Sequence, residues 1–212
     1  MDINKDSTLI AKYFPNLTDL QSERFMRMEA LYGEWNANIN VISRKDINHL
    51  YERHVLHSMA ILKFFDFEAK TTFLDIGTGG GFPGIPLAIM LPRCQFHLVD
   101  ATRKKTTVAR EVATALGLKN VTVDWTRAEE LKKRYDFTLA RAVTRLSALW
   151  QWSRHLLAYR HSNKFANGLI ALKGGHIGVE TKLTGQAVQK HLISDVFAED
   201  FYKEKYVLYI AR

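Results

Sequence analysis

Apolar positions follow two different periods along this chain, and the change falls near residue 66. Before it, apolar residues such as Phe25, Met28 and Tyr32 recur at helical spacing. From residue 71 onward, short apolar runs alternate with amphipathic segments. Alternation of this kind is typical of a parallel sheet whose strands are joined by crossover helices.

The first part of the chain predicts two main helices. Thr18 and Gln21 have the spacing of a capping box at the start of one helix. Asparagines at three positions within 36–40 favour a turn, and a second helix is expected over residues 46–65. Residues 1–66 are therefore predicted to form a helical extension.

The second part predicts an α/β domain over residues 67–212. The strands are expected over 72–76, 95–99, 120–124, 136–140 and 168–172, and the helices over 84–91, 103–116 and 144–159. Two late apolar segments, 191–198 and 205–211, are expected to pair as antiparallel strands at the edge of the sheet. The predicted fold is a seven-stranded, mostly parallel, Rossmann-like sheet.

Composition excludes several classes of protein. Cys94 is the one cysteine among 212 residues, so no internal disulfide forms, and this fits a reducing cytoplasm. The first six residues lack an apolar signal core, and the longest apolar run, 82–91, holds two prolines. We therefore expect a cytoplasmic protein without membrane contact.

The net charge of +8 points to a polyanionic partner, although many basic proteins bind none. The histidines lack metal-ligand spacing, so no metal site is predicted, and we expect a monomer.

A glycine-rich turn follows the first predicted strand, at residues 74–84. A dinucleotide site would follow G-x-G-x-x-G/A, whose small sixth residue lets the pyrophosphate meet the helix N-terminus. Here that frame begins at Gly77 and places Phe82 sixth, while Pro83 removes a backbone donor. Asp75 would repel a pyrophosphate but suits a sulfonium or an ammonium group. The turn therefore favours a cofactor without phosphates, and S-adenosylmethionine carries both of those cations.

Asp100 ends the second predicted strand, about twenty residues beyond the turn. Its carboxylate is expected to accept hydrogen bonds from two ribose hydroxyls of the cofactor. The D-x-G-x-G-x-G spacing of Asp75, Gly77, Gly79 and Gly81 resembles the first motif of Rossmann-like methyltransferases. A glycine turn that only connects strand to helix is the simpler alternative, but it leaves the acidic strand end unexplained.

Ligands of an open parallel sheet gather at the carboxyl ends of its strands. Ala128 and Glu129 follow the third strand and could fix the adenine edge, or Glu129 could simply favour a helix N-terminus. Arg141 ends the fourth strand and could hold a methionine carboxylate or a substrate phosphate; the alternative is a solvated loop charge. Lys173 follows the fifth strand and is a candidate RNA contact.

Groups that several methyl-transfer chemistries require are missing from these strand ends. Pyrimidine C5 methylation needs a thiolate, but Cys94 precedes the second strand, away from the expected substrate end. An adenine-N6 enzyme normally shows N/D-P-P-Y/F where residues 139–142 read L-A-R-A, and ribose 2′-O transfer usually places an acid where Arg141 stands. Purine N7 fits what remains, because its in-plane lone pair is free and no proton must leave first. These absences exclude rivals without establishing N7.

The chain resembles the ribosomal RNA small-subunit methyltransferase G family, also called GidB, nearly from end to end. The matching segments are E-W-N through N-V within 34–41, R-H at 53–54, G-T-G at 77–79, F-P-G-I-P-L at 82–87, L-V-D at 98–100, R-A-E-E at 127–130, R-A at 141–142 and A-L-K-G at 171–174. The G-x-P-G-I-P-L segment is far more specific than a bare glycine loop.

The resemblance implies a class I S-adenosylmethionine-dependent methyltransferase that methylates guanine N7 in 16S ribosomal RNA of the small subunit. It implies a cofactor site lined by Gly77, Phe82, Ala128, Glu129 and Arg141, with Asp100 on the ribose. With the strand ends included, the expected cofactor-binding residues are Asp75, Gly77, Gly79, Gly81, Phe82, Asp100, Ala128, Glu129 and Arg141, and the expected catalytic residues are Arg141 and Lys173.

Two segments depart from the family's pattern. The usual H-x-x-D-S reads H-V-L-H-S at residues 54–58, so His57 replaces an acid whose packing or capping role does not transfer. After Arg141 the family usually continues with small residues and a serine, whereas residues 143–146 read V-T-R-L. Arg145 there either adds an RNA contact or is simply solvated.

Basic clusters elsewhere are further candidate RNA contacts. They comprise Arg103, Lys104, Lys105 and Arg110, and Lys132, Lys133 and Arg134. Taken singly, each is more simply explained as a solvated helix face. Two rival functions also stay open. One is a non-catalytic RNA-binding ribosome-assembly factor that keeps the fold, and the other is a dinucleotide-dependent oxidoreductase, against which Phe82 counts.

Overall fold

A computed structural model describes residues 8–43 and 46–212, and a seven-stranded sheet runs through it. The strands are β1 (Thr72–Ile76), β2 (Gln95–Asp100), β3 (Val121–Trp125), β4 (Phe137–Arg141), β5 (Gly168–Gly174), β6 (Gln189–Leu192) and β7 (Lys205–Ala211). Their order across the sheet is β3-β2-β1-β4-β5-β7-β6, and β7 runs in the direction opposite to the other six strands. The predicted α/β fold with a mostly parallel sheet is confirmed.

Helices flank the sheet. They are α1 (Thr8–Tyr13), α2 (Asp19–Asn38), α3 (His57–Met59), α4 (Gly84–Met90), α5 (Arg103–Ala115), α6 (Leu146–Ser153) and α7 (Gly178–Lys182). α3 is the middle of a longer helical stretch that starts with a 3₁₀ turn at Ile47–His49 and widens to π geometry over Leu50–Leu56. It tightens to 3₁₀ again over Ala60–Lys63. The helix expected over 46–65 is therefore present, but its winding changes along its length.

The start of α2 matches the predicted capping box. The hydroxyl of Thr18 accepts from the Gln21 N–H at 3.3 Å, and the Gln21 side chain accepts from the Thr18 N–H at 3.0 Å. The predicted asparagine turn was placed too early, because α2 continues through Asn36. That side chain instead accepts hydrogen bonds from the backbone N–H groups of Val41 and Ile42, so it fixes the loop that follows the helix.

The carboxyl-terminal segments pair as predicted, with two differences. β7 lies inside the sheet between β5 and β6, so of these two strands only β6 lies at an edge. The expected strand over 191–198 stops at Leu192, because the chain turns into a 3₁₀ helix at Ile193–Asp195. The helix expected over 144–159 is also shorter, since α6 ends at Ser153, and α7 was not expected.

One large buried cluster joins the amino-terminal helices to the sheet. In it, the rings of Phe73 and Phe96 stack at 4.7 Å between centroids. Arg24 on α2 donates to the carbonyls of Leu116 and Gly117, both at 2.9 Å, so α2 is bound to the end of α5. The division at residue 66 stays a prediction. None of the helices within residues 8–43 and 46–212 combines the length and the apolar character of a membrane span.

Candidate active site

The glycine turn after β1 depends on conformations that other residues adopt rarely. Gly77, Gly79 and Gly81 have φ values of +66°, +57° and +108°. A Cβ on Gly77 would also lie 2.7 Å from a methyl group of Val143, in the loop that follows β4. The turn therefore passes directly against that loop, and Gly77 is required both for its φ and for the close approach.

Asp75 is buried inside this turn. One carboxylate oxygen, Oδ2, accepts from the Thr78 hydroxyl at 2.6 Å and from the Gly84 N–H at 2.9 Å. The other, Oδ1, is buried without a hydrogen-bond partner. Burial raises the pKa of this carboxyl to about 7. In this structure the observed bonds of Asp75 link β1 to the start of α4, and its predicted contact with a cofactor cation stays a prediction.

Asp100 also holds the turn, but its carboxylate borders open space. Its Oδ2 accepts from the Gly79 N–H at 3.0 Å and its Oδ1 from the Thr102 N–H at 2.8 Å. An ionised carboxylate offers about four acceptor positions, so two remain for a ligand. Because both backbone bonds fix its orientation, Asp100 is held in place before any ligand arrives.

Asp100 lines a cavity of about 220 Å³ at the carboxyl ends of β1, β2 and β3. Apolar side chains of Ile76, Val99 and Val143 form much of its wall, and the consecutive residues 127–129, R-A-E, also line it. Glu129 is exposed and Ala128 is buried. Apolar walls together with the acidic acceptors Asp100 and Glu129 fit an adenosine group, whose ribose hydroxyls and exocyclic amine are donors.

The predicted cofactor residues divide with respect to this cavity. The structure brings four of them to its wall, namely Gly77, Asp100, Ala128 and Glu129. Gly79 does not line the cavity, but its N–H donates to Asp100, which does. A Cβ built on Gly79 would have no heavy atom within 4 Å apart from its chain neighbours. Gly81 packs under the turn, where its Cβ would meet Ile85 at 2.3 Å. Direct contacts of these two glycines with a cofactor stay predictions.

A second cavity, of about 370 Å³, lies on the other side of the loop after β4. Ala142 lines this second cavity, whereas Val143 lines the first. The backbone of this loop is unusual at Ala142, whose φ of +53° lies in the left-handed region that residues other than glycine rarely adopt. A single short loop thus separates the two cavities.

Arg141 lines the second cavity and is not the solvated loop charge considered above. Its Nη2 donates to His54 Nδ1 at 2.8 Å, and its Nη1 donates to the Arg53 carbonyl at 3.1 Å. Burial lowers the pKa of Arg141 to about 10 and, with the charge of Arg141, that of His54 to about 3. The arginine is therefore charged and the histidine neutral near pH 7, which matches a ring nitrogen that accepts from a guanidinium.

Phe82 lies behind Arg141 and is almost fully buried. Its ring centroid is 4.9 Å from that of Tyr32 and 5.3 Å from that of His54, and the Arg141 guanidinium lies 5.2 Å over its face. The ring is absent from the wall of the adenosine-sized cavity. Its observed role is to support Arg141 and His54, and its predicted contact with the cofactor stays a prediction.

Lys173 borders the second cavity, but its charge is already paired. Its ammonium group donates to the Thr144 carbonyl and to Glu180 Oε1, the latter at 2.6 Å. The same Glu180 oxygen accepts from the Leu146 N–H at 2.6 Å. Lys173 therefore fixes α7 against the start of α6, and its predicted catalytic role stays a prediction.

Several residues of the second cavity were missed by the sequence reasoning. Arg53, Phe201 and Lys205 line it, and so does His57, which was noted only as a departure from a motif. None of them follows a parallel strand. β7 is antiparallel, so its first residue pairs with the last residue of β5, Gly174, and Lys205 reaches the carboxyl edge of the sheet. Recognising that reversal would have identified Lys205 as a candidate.

The exposed basic clusters are spread over the surface. The Arg103 guanidinium lies 5.5 Å over the Trp125 ring, and Arg134 lies 4.2 Å over Tyr159. Arg110 is partnered, because its Nη2 donates to the Val123 carbonyl at 2.6 Å. Arg145 is exposed and precedes α6. No group of three or more His, Cys, Asp or Glu side chains converges on a metal-sized site in the part of the chain that the structure describes.

Comparison with known sequences decides the family. The family model for rRNA small subunit methyltransferase G matches residues 21–208. The chain belongs to this family. It is 50% identical over 202 residues to the ribosomal RNA small subunit methyltransferase G of Phocaeicola vulgatus, covering 95% of this chain and 97% of that one. The ribosomal RNA small subunit methyltransferase G of Flavobacterium johnsoniae is 47% identical over 201 residues, which cover 95% of this chain and 96% of that one.

Solved structures agree on the fold. A SAM-dependent methyltransferase from Aquifex aeolicus superimposes with a TM-score of 0.56 at 20% identity, over 80% of this chain and 98% of that one. Fibrillarin from Aeropyrum pernix, solved with natively bound S-adenosyl-L-methionine, gives 0.54 at 13% identity, over 75% of each chain. At these identities the likeness establishes the class I methyltransferase fold, as predicted, and S-adenosylmethionine as the cofactor agrees with the family.

Proposed function

We propose that this protein transfers a methyl group from S-adenosylmethionine to guanine N7 of 16S ribosomal RNA. We further propose that it acts in the cytoplasm as a monomer. The observation that carries the proposal is the pair of cavities on either side of the loop at 141–143. One has largely apolar walls with two carboxylates and one arginine, and the other is lined by four cations and one carboxylate among the described residues. A methyl donor and an RNA acceptor placed in them would meet across the end of β4.

In this proposal the adenosine cavity holds the cofactor, which supplies the electrophilic methyl group when bound. Asp100 accepts from the ribose hydroxyls with the two acceptor positions that its backbone bonds leave open. Ala128 and Glu129 face the adenine edge. Arg141, at the boundary between the cavities, positions the methionine end or the target nucleotide.

Transfer to N7 needs orientation rather than a base, because the lone pair that attacks lies in the plane of the ring. The second cavity suits such a reaction. His54 is neutral, but its Nδ1 is already occupied by Arg141, so that nitrogen is not free to take a proton. The helical extension over 1–66 contributes Arg53, His54 and His57 to this cavity, which supports a role for it in substrate recognition by the domain over 67–212.

Calorimetry with S-adenosylhomocysteine tests the cofactor site. Asp100→Asn removes the charge that makes these hydrogen bonds strong, so we expect the Kd to rise about 10- to 100-fold. Asp124→Asn is the matched control, because Asp124 lies on the neighbouring strand β3, is 61% exposed and bonds His97 outside the cavity. Equal binding by Asp100→Asn and wild type would remove the assignment.

Methyl transfer to unmodified small subunits tests the reaction itself. With labelled S-adenosylmethionine, wild-type protein should label the 16S RNA, and Asp100→Asn should need more cofactor to reach the same rate. Tight RNA binding without any transfer would instead favour the non-catalytic assembly factor.

A further inference from the structure

The second cavity holds more positive charge than its own carboxylates balance. Of the residues in 8–43 and 46–212, four cations line it, namely Arg53, Arg141, Lys173 and Lys205, and Asp46 is the one carboxylate. Arg53 pairs with Asp46 at 2.7 Å, and Lys173 pairs with Glu180 behind the wall. Among the residues that the structure describes, Arg141 and Lys205 have no carboxylate within 4.0 Å. A buried or half-buried cation without a paired carboxylate is stabilised when a ligand supplies the anion.

Lys205 is the cation best placed for such an anion. Its ammonium lies 5.0 Å over the Phe201 ring, which holds it by a cation–π contact. An aromatic face takes up no specific N–H donor, so all three donors of the ammonium remain for a ligand. Its pairing opposite Gly174 places Lys205 at the carboxyl edge of the sheet, where substrates of this fold bind.

His57 supplies an independent sign of a ligand. Its side chain is only 7% exposed, lines the same cavity, and its Nε2 has no hydrogen-bond partner. The ring shares a hydrogen bond with the Arg53 carbonyl, which needs a donor, and burial holds the pKa of His57 well below its usual value. The ring is therefore neutral with its proton on the other nitrogen, so Nε2 is an acceptor. An ionised phosphate cannot donate to it, but a ribose hydroxyl or a base N–H can.

A nucleotide carries both an anionic phosphate and N–H or O–H donors, so it fits both observations. We propose that the second cavity binds the target nucleotide of the RNA, with Lys205 on its phosphate and His57 Nε2 accepting from its ribose or base. The assignment rests on the proposed function and names the residues that recognise its substrate. The cofactor's methionine end fits less well, because its sulfonium and ammonium would face the unpaired charges of Arg141 and Lys205. The volume of about 370 Å³ is sufficient for a nucleotide-sized ligand.

Lys205→Gln tests the phosphate contact. Loss of one phosphate contact should weaken binding of 16S RNA and reduce the slope of log K against log salt by about 0.7–0.9. Binding of S-adenosylhomocysteine should not change. Lys203→Gln is the matched control, because Lys203 lies two residues away, is 72% exposed and pairs with Asp200. It should behave as wild type.

His57 is tested by a pair of substitutions. His57→Phe keeps an aromatic ring but removes the acceptor, so the KM for RNA should rise roughly tenfold. His57→Asn returns an acceptor oxygen and should recover part of that loss, which a purely structural role would not explain. Thermal unfolding of each variant checks that the fold is kept, and Lys205→Gln tests the proposal independently if His57→Phe does not fold.

The outcomes separate this inference from the function on which it rests. An unchanged RNA affinity in Lys205→Gln and His57→Phe, with wild-type methylation intact, overturns the nucleotide site alone. A loss of S-adenosylhomocysteine binding in these variants overturns it too and assigns the cavity to the cofactor. Wild-type protein that neither binds S-adenosylhomocysteine nor methylates the RNA overturns the proposed function instead.

Discussion

Asp75→Asn tests the electrostatics of the glycine turn through the pH dependence of stability. The carboxyl is buried, and its pKa of about 7 compares with an ordinary value of 3.8. At about 1.36 kcal/mol per pH unit, this difference corresponds to about 4 kcal/mol. That figure is the order of magnitude by which ionisation of Asp75 disfavours the folded state at high pH.

The direction follows from where the proton is held. Below pH 3.8 the Asp75 carboxyl is protonated in both the folded and the unfolded state, so its ionisation does not lower the stability of the folded state. Between pH 3.8 and about 7 the unfolded chain has released a proton that the folded chain keeps, so stability falls as the pH rises. Above about 7 the loss is complete. The amide that replaces the carboxyl in Asp75→Asn carries no charge at any of these pH values, so this loss should disappear in the variant.

Urea denaturation of both proteins at pH 5 and pH 8 gives the measurement. The stability of Asp75→Asn relative to wild type should rise by about 3 kcal/mol between these two pH values. The asparagine oxygen can still accept from Thr78 and Gly84, and any cost of its buried amide is independent of pH, so it cancels in the comparison. A relative stability that stays constant from pH 5 to pH 8 would refute the raised pKa.

Four further substitutions test the packing around the site and at the end of α5. Gly77→Ala should be more destabilising than Gly79→Ala in thermal unfolding and should weaken S-adenosylhomocysteine binding, because both strain φ but only the first brings a Cβ to 2.7 Å from Val143. Equal effects would show that the close approach is unimportant. Arg24→Ala should lower the free energy of unfolding by about 1–3 kcal/mol, since it removes two bonds to the end of α5. Tyr32→Phe should cost about 1 kcal/mol in the same assay, because its hydroxyl donates to the buried Gly80 carbonyl at 2.7 Å.

The parallel part of the sheet was readable from sequence because each strand is a short apolar run between turn signals. β1 was expected at 72–76 and lies there, and the start and end of β2 differ by at most one residue. The amino-terminal helices were less readable. Nothing in the apolar spacing of residues 47–63 distinguishes α, 3₁₀ and π winding, because packing against the sheet selects among them.

The site divides in the same way. Asp100 could be identified from the sequence because it ends β2, the strand that follows the glycine turn, and local sequence is sufficient to locate that strand end. The second cavity is assembled from segments far apart in the chain, such as Arg53 and Lys205, which meet only after β7 inserts beside β5. The spacing of apolar residues along the chain does not predict that β7 inserts between β5 and β6. The burial of Asp75 was missed for a related reason, because a turn carboxylate can face the ligand or the turn itself.

The most direct measurement is the mapping of 7-methylguanosine in 16S RNA after unmodified small subunits are incubated with the protein and S-adenosylmethionine. Chemical cleavage at this base should appear at a single guanosine with wild-type protein and should be strongly reduced with Asp100→Asn at low cofactor concentration. RNA that carries no new 7-methylguanosine, or a methyl group on a different atom, would contradict the account.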